Sequence, residues 1–154
     1  MLTVADYQSP IGILHAEFDD DVLCTLLPAD TAEPTPPDKP AAIALSHALD
    51  RYFAGDAHAF DGTAIRMQGT PFQIKVWNAL RRISYGQVRT YGEIAIQIGQ
   101  PGASRAVGGA CSKNRLLLIV PCHRVVSSGG GLGGFALGAD IKRQLLRLES
   151  ATIG

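Results

Sequence analysis

No two of the three cysteines, Cys24, Cys111 and Cys122, are spaced as Cys-x-x-Cys, and their odd number and irregular spacing argue against a disulfide framework and for reduced thiols. The four histidines, His15, His47, His58 and His123, are scattered, so no metal site is expected. No stretch approaches the roughly 18 apolar residues of a membrane-spanning helix. Met1 to Tyr7 has no basic region followed by an apolar core, so no signal peptide is visible and a cytoplasmic location without membrane association is the expectation. Net charge is also missing, formally +0, but this total conceals a division along the chain. Residues 1–74 hold 3 basic and 11 acidic side chains, residues 75–124 hold 8 and 1, and residues 125–154 hold 3 and 2. A basic middle third is the sort of asymmetry that attends a polyanion partner; the alternative is that it neutralises the acidic third within the fold.

What is present begins with an N-terminal meander. Thr3 to Tyr7, Ile11 to Phe18 and Val22 to Leu27 read as short strands, joined at Ser9-Pro10 and Asp19-Asp20-Asp21. Ala29 to Pro40 carries four prolines among polar residues and reads as an irregular crossing. Ala41 to Ala54 has apolar residues at mostly helical spacing with Gly55 beyond its end, and a further strand is expected over Ala64 to Gln68. Cys24 and His47 fall inside these patterns and read as packing.

A second unit opens at Thr70-Pro71-Phe72-Gln73, where threonine is the N-cap, proline takes the first helical position and glutamine can reach back as in a capping box. This helix should run to about Ile83, with Trp77 on its core stripe. Thr90-Tyr91-Gly92-Glu93 is a second capping box, opening a helix to about Ile98. Gly99 to Gly102 break it, and Ala103 to Ser112 is helical again, which makes a helix-turn-helix pattern. Gly108 and Gly109 inside the second helix cost about 2 kcal/mol relative to alanine. Either another helix or a nucleic-acid backbone must approach closely there. Arg105 is the one long side chain near the front of that helix. The last helix, Asp140 to Glu149, ends on a carboxylate, electrostatically misplaced at a helix C-terminus and so in want of a cationic or hydrogen-bonding partner.

Between these helices Leu116 to Val120 reads as a fully buried strand that Pro121 terminates, leaving Cys122-His123-Arg124 at the floor of a pocket. The glycine-rich segment Ser127 to Phe135 lacks the Lys-Ser/Thr ending of a phosphate-binding loop, so a nucleotide cofactor is not expected. Several chemistries compete for Cys122. It could be a buried structural cysteine. A papain-like hydrolase needs Cys and His side chains to converge, which neighbours on an extended strand do not do. A redox role needs a resolving thiol, and only Cys111 is close in sequence. The remaining reading is a thiolate that accepts an alkyl group from DNA, with His123 or Arg124 supplying the base or positive surroundings and the basic helix-turn-helix bringing the substrate.

Pro121-Cys122-His123-Arg124-Val125 matches the PCHRV signature of the O6-alkylguanine-DNA alkyltransferases. Thr90 to Ala95, the Arg105-Ala106-Val107-Gly108-Gly109-Ala110 run, Asn114 and the tail Lys142 to Glu149 recur in the order and spacing of that family. Over about residues 70–150 the chain resembles it closely. The resemblance implies an α/β protein with an N-terminal ribonuclease-H-like antiparallel sheet and helix over residues 1–69. A C-terminal, helical, winged-helix-like domain containing the helix-turn-helix then covers residues 70–154. It implies single-turnover repair of O6-alkylguanine, and of O4-alkylthymine, in double-stranded DNA by a monomer without cofactor or metal. Cys122 would be the acceptor, His123 would act on it through a bridging water, and Glu149 would hold the histidine. Tyr91 would donate a proton toward guanine N3 and Asn114 would brace the site.

By the same resemblance Arg105 would fill the space of the flipped base. Thr90, Ala103, Ser104, Ala106, Gly108 and Gly109 would meet DNA in the minor groove, and Pro121, Val125, Phe135 and Ala136 would line the base pocket. The chain departs from the family at Phe135, where tyrosine is common, at Ala136, and at Leu137-Gly138 in place of two glycines. Two rivals remain: a module that binds alkylated DNA without repairing it, whose known examples lack the cysteine, and a cysteine hydrolase.

Overall fold

The computed structural model describes residues 1–153, with side-chain burial defined through Ser150. The chain forms two compact units, Met1–Met67 and a second beginning at Gln68. In the first, β1 (Leu2–Ser9), β2 (Gly12–Asp19) and β3 (Val22–Pro28) make an antiparallel meander in the order β1-β2-β3. Asp20 and Asp21 both take positive φ, the conformation that a tight hairpin needs and that short polar side chains tolerate. Leu14, Ala16 and Phe18 alternate with less buried neighbours along β2, so one face of the sheet is core. Helix α1 (Pro40–Phe53) packs on β1 through Ala42, Leu45, Ala48, Leu49 and Tyr52, and Tyr7 donates its hydroxyl to the Ala42 carbonyl at 2.8 Å. The proline-rich crossing is pinned by Asp6, whose N–H donates to Thr35 O at 2.7 Å and whose carboxylate accepts from Thr35 N at 2.8 Å. The strand expected over residues 64–68 is only a single parallel bridge, Ile65 to Leu23.

The second unit is mostly helical: α2 (Pro71–Arg81), α3 (Tyr91–Gln97), α4 (Ser104–Ser112) and α5 (Ala139–Ile153), with a two-residue parallel pairing of β4 (Arg89–Thr90) and β5 (Val125–Val126). Both capping boxes form, Thr70 with Gln73 and Thr90 with Glu93, which fixes where α2 and α3 start. Gly99 and Gly102, both at positive φ, make the turn between α3 and α4. Trp77 ties α2 to α4 by donating its indole N–H to Ala110 O at 2.9 Å. Val76, Leu80, Ile94, Val107, Leu117 and Leu145 are among the side chains that fill the core between these helices. No helix among the described residues is long and apolar enough to cross a membrane.

Two boundaries differ from expectation. Leu116 to Val120 is buried but is not a strand: residues 117–119 form a turn, Leu118 sits at φ 72°, and Val120 N–H donates back to Leu116 O at 2.9 Å. Asn114 explains the turn. Its carboxamide accepts from Leu116 N–H at 2.9 Å and donates to Val120 O at 2.8 Å, so it gathers the two ends of the run that apolarity alone would have extended. The final helix also runs beyond Glu149 to Ile153, which places this carboxylate inside the last turns rather than at the end.

Candidate active site

Pro121 stands before a 3-10 turn, Cys122–Arg124, and not at the end of a strand. The premise that Cys122 and His123 point to opposite faces of an extended chain therefore fails. Cys122 faces a cavity of about 500 Å³ whose lining includes Tyr91, Gly108, Cys111, Asn114, Phe135 and Ala136. His123 and Glu149 do not line it; they are fully buried. Pro121 and Val125, expected in the pocket wall, are buried without contributing to this lining. A neighbouring groove of about 330 Å³ is bounded by Tyr91, Gly92, Ser104, Arg105, Gly108, Ser127 and Ser128. Ala103 is the N-cap of α4 and offers no side-chain oxygen to the first amides of that helix. The Thr90 hydroxyl is occupied in capping α3, accepting from Glu93 N–H at 3.1 Å.

The two glycines of α4 are not explained by packing within the chain. A Cβ on Gly108 would meet only the Tyr91 ring at an ordinary 3.8 Å, and one on Gly109 would meet nothing. Of the two approaches weighed from the sequence, a closely packed helix is excluded. Beside the cavity, the glycine that packing does require is Gly133, at φ 75°, where a Cβ would lie 2.5 Å from the Tyr91 hydroxyl. This is how the glycine-rich segment comes up against Tyr91, whose hydroxyl also takes a hydrogen bond from the Gly134 backbone.

Behind the thiol lies a buried ionic cluster. His123 Nε2 is 2.6 Å from Glu149 Oε2. Arg124 donates from Nε to Glu149 Oε1 at 2.8 Å, from Nη2 to Oε2 at 3.1 Å and from Nη1 to the Ile83 carbonyl at 2.7 Å, and its guanidinium lies over the Tyr85 ring. Burial works to raise the Glu149 carboxyl, but the bonds from His123 and Arg124 hold it down to about 2. With the carboxylate ionised and already paired to a guanidinium, burial keeps His123 neutral, below its ordinary value. A neutral imidazole facing a carboxylate through Nε2 donates from that nitrogen, so Nδ1 carries the lone pair. Nδ1 is buried and meets no hydrogen-bond partner among the described residues.

Arg124 is thus committed to Glu149 and is not the positive neighbour of the thiol. That neighbour is Lys142, which the sequence reading named only as part of the tail. It is buried, donates from Nζ to Val125 O at 2.6 Å and to Gly134 O at 3.2 Å, and so fastens the glycine-rich segment to β5. Burial pushes the Cys122 thiol up, opposed by a hydrogen bond from the Asn114 side chain and by the charge of Lys142. Cys111, also missed as a site residue, is pushed up to about 12, chiefly by burial and then by Cys122. A signal for Lys142 existed: with Leu145 and Glu149 it forms the buried stripe of α5, where a lysine and a glutamate are out of place unless partnered.

A helix-turn-helix with a thiol-floored cavity on the flank of its second helix defines the class. Residues 71–151 match the family described as the DNA-binding domain of 6-O-methylguanine DNA methyltransferase. The chain is 44% identical to the methylated-DNA–protein-cysteine methyltransferase of Mycolicibacterium paratuberculosis, covering 97% of this chain and 93% of that protein. It is 54% identical to the protein of the same name from Methanosarcina acetivorans, over 69% of this chain and 67% of the relative. Among solved structures, Mycobacterium tuberculosis OGT in complex with DNA superposes with a TM-score of 0.85 at 40% identity, over 97% of this chain and 93% of that one. The chain belongs to the methylated-DNA–protein-cysteine methyltransferase family.

Proposed function

We infer that the protein repairs DNA by direct reversal, moving the alkyl group of an O6-alkylguanine, and of O4-alkylthymine, onto Cys122 in a single irreversible turnover. One observation carries this reading: Cys122 lines a cavity of about 500 Å³ beside α4 while His123, neutral and anchored on Glu149, stands behind it with Nδ1 free to accept a proton. The Cys122 proton passes to His123 through a bridging water, and the sulfur attacks the alkyl carbon. The S–C bond forms as the C–O6 bond breaks. Tyr91 gives its hydroxyl proton to guanine N3, so the base departs neutral. Asn114 and Lys142 lower the cost of the developing thiolate in a site where burial alone opposes it.

Duplex DNA is the partner, held by its backbone and therefore with steep salt dependence. The exposed glycine backbone of α4 and its uncapped N-terminus suit a phosphate-lined minor groove. Thr90, Ala103, Ser104, Ala106, Gly108 and Gly109 form that contact surface, and Arg105 enters the stack in place of the flipped base. Phe135 and Ala136 wall the base pocket. Residues 1–69 form the ribonuclease-H-like half, and the protein acts as a cytoplasmic monomer without cofactor.

Incubation with DNA containing O6-methylguanine should add one methyl mass to the protein, on the peptide bearing Cys122. A methyl group on Cys111 or Cys24, or tight binding with no adduct, would sink the mechanism, the latter in favour of a lesion-binding module. Arg105→Ala should slow repair of duplex DNA by roughly tenfold or more, the cost of base extrusion being a few kcal/mol, yet spare reaction with a free alkylated base. Equal losses on both substrates remove the extrusion role.

A further inference from the structure

We propose that Cys111 and Cys122 join in a disulfide across the cavity when the protein meets hydrogen peroxide, so that the acceptor thiol is stored in a recoverable form. Both thiols are free, and both line the same cavity. Asn114 stands next to both in the lining of that cavity, its N–H donating to the Cys111 carbonyl at 3.2 Å at the end of α4. Burial pushes both thiols up, and the Lys142 ammonium opposes that rise at each of them. Cys111 sits one residue before the end of α4, and the bridge requires the two Cα atoms to stand within roughly 4.4–6.8 Å of each other.

The steps balance. The Cys122 thiol and hydrogen peroxide give a sulfenic acid and water; the Cys111 thiol then attacks the sulfenic sulfur, expelling a second water and forming the S–S bond. Two thiols are oxidised as one peroxide is reduced. Without a second thiol at hand, further peroxide carries a sulfenic acid to the sulfinic state, which thiol reductants do not reverse. Cys111 therefore protects a group that the protein can use only once.

The bond itself does not depend on the repair reading, although its consequence for repair does. The full chain is treated with hydrogen peroxide, free thiols are blocked, and the protein is digested with trypsin without reductant. Cleavage at Arg105, Lys113, Arg115 and Arg124 places the two cysteines on separate peptides, residues 106–113 and 116–124. The expected product is these two peptides joined, lighter by two hydrogens than their sum, at a yield independent of protein concentration and reversed by dithiothreitol. Methyl uptake should fall and return in parallel. In Cys111→Ser, and in Cys111→Ala as a check on folding, the peptide bearing Cys122 should instead gain two oxygens, and dithiothreitol should restore less than a tenth of the uptake lost. A sulfinic Cys122 beside a free Cys111 in the parent protein overturns the proposal, as does a bridge to Cys24 or one only between molecules. If the bridge forms but the untreated protein takes up no methyl group, the disulfide stands and the repair reading fails.

Discussion

The two units are mirror images in charge: the first holds 11 acidic and 3 basic side chains, the second 3 acidic and 11 basic. They differ more in where the charges sit. The first unit pairs its charges where water reaches them, as in Arg66–Asp19 at 2.9 Å with the partners 43% and 47% exposed. Its buried acid, Asp6, serves the backbone at Thr35 and the ring of His15. The second unit buries His123, Arg124, Lys142 and Glu149, the same unit that holds the Cys122 thiol. Exposed pairs contribute little to stability, whereas buried ones carry a desolvation cost that apolar side chains would avoid. A buried cluster of this kind in the unit that also holds the cavity marks charge kept for chemistry rather than for folding.

The contrast can be broken most forcefully at Glu149. Replacing it with glutamine leaves Arg124 and His123 buried against a neutral amide, and should cost about 3–5 kcal/mol in urea unfolding. Asp19→Asn, which removes the exposed pair, should cost no more than about 1 kcal/mol in the same measurement. Similar values for the two would mean that burial does not set these ion pairs apart.

Acid provides the next test. A carboxyl held below its unfolded value contributes stability that is fully present above that value and is lost as pH falls through the folded one. For Glu149 this window runs from its ordinary 4.5 down to about 2. His123, held neutral by burial, adds a loss of the same sign that begins as pH drops below its ordinary 6.5. Thermal midpoints should therefore decline on acidification, and Glu149→Gln should flatten the lower part of the profile. An unchanged profile in the variant would show that acid acts elsewhere. Smallest is the cap: Thr70→Ala should cost about 1 kcal/mol by leaving the Gln73 amide without its acceptor, and an effect near zero would mean that proline at the next position suffices.

What the sequence made legible was local. A capping box needs residues only three apart, so the starts of α2 and α3 could be read directly, as could the alternation of the meander. The Cys122 signature and Glu149 were legible as well, though the helix end invoked for Glu149 lay four residues too early. The turn at Leu117 to Ile119 was hidden because its cause is Asn114, a polar residue outside the apolar run, and periodicity cannot tell a buried strand from a buried turn. Arg124 was assigned to the thiol by proximity in sequence, whereas its partners come from α5 and the turn that follows α2. Lys142 and Cys111 reach the site by tertiary packing from two helices, which no spacing rule encodes.

Trp77 has a use beyond packing. It is the sole tryptophan of the chain, and its indole N–H is bonded to the carbonyl of Ala110, the residue next to Cys111 on α4. Its emission therefore comes from one place and responds to the polarity around one helix. Engagement of that helix by DNA, or its displacement by a disulfide at Cys111, can be followed in real time by the intrinsic fluorescence of the unlabelled protein.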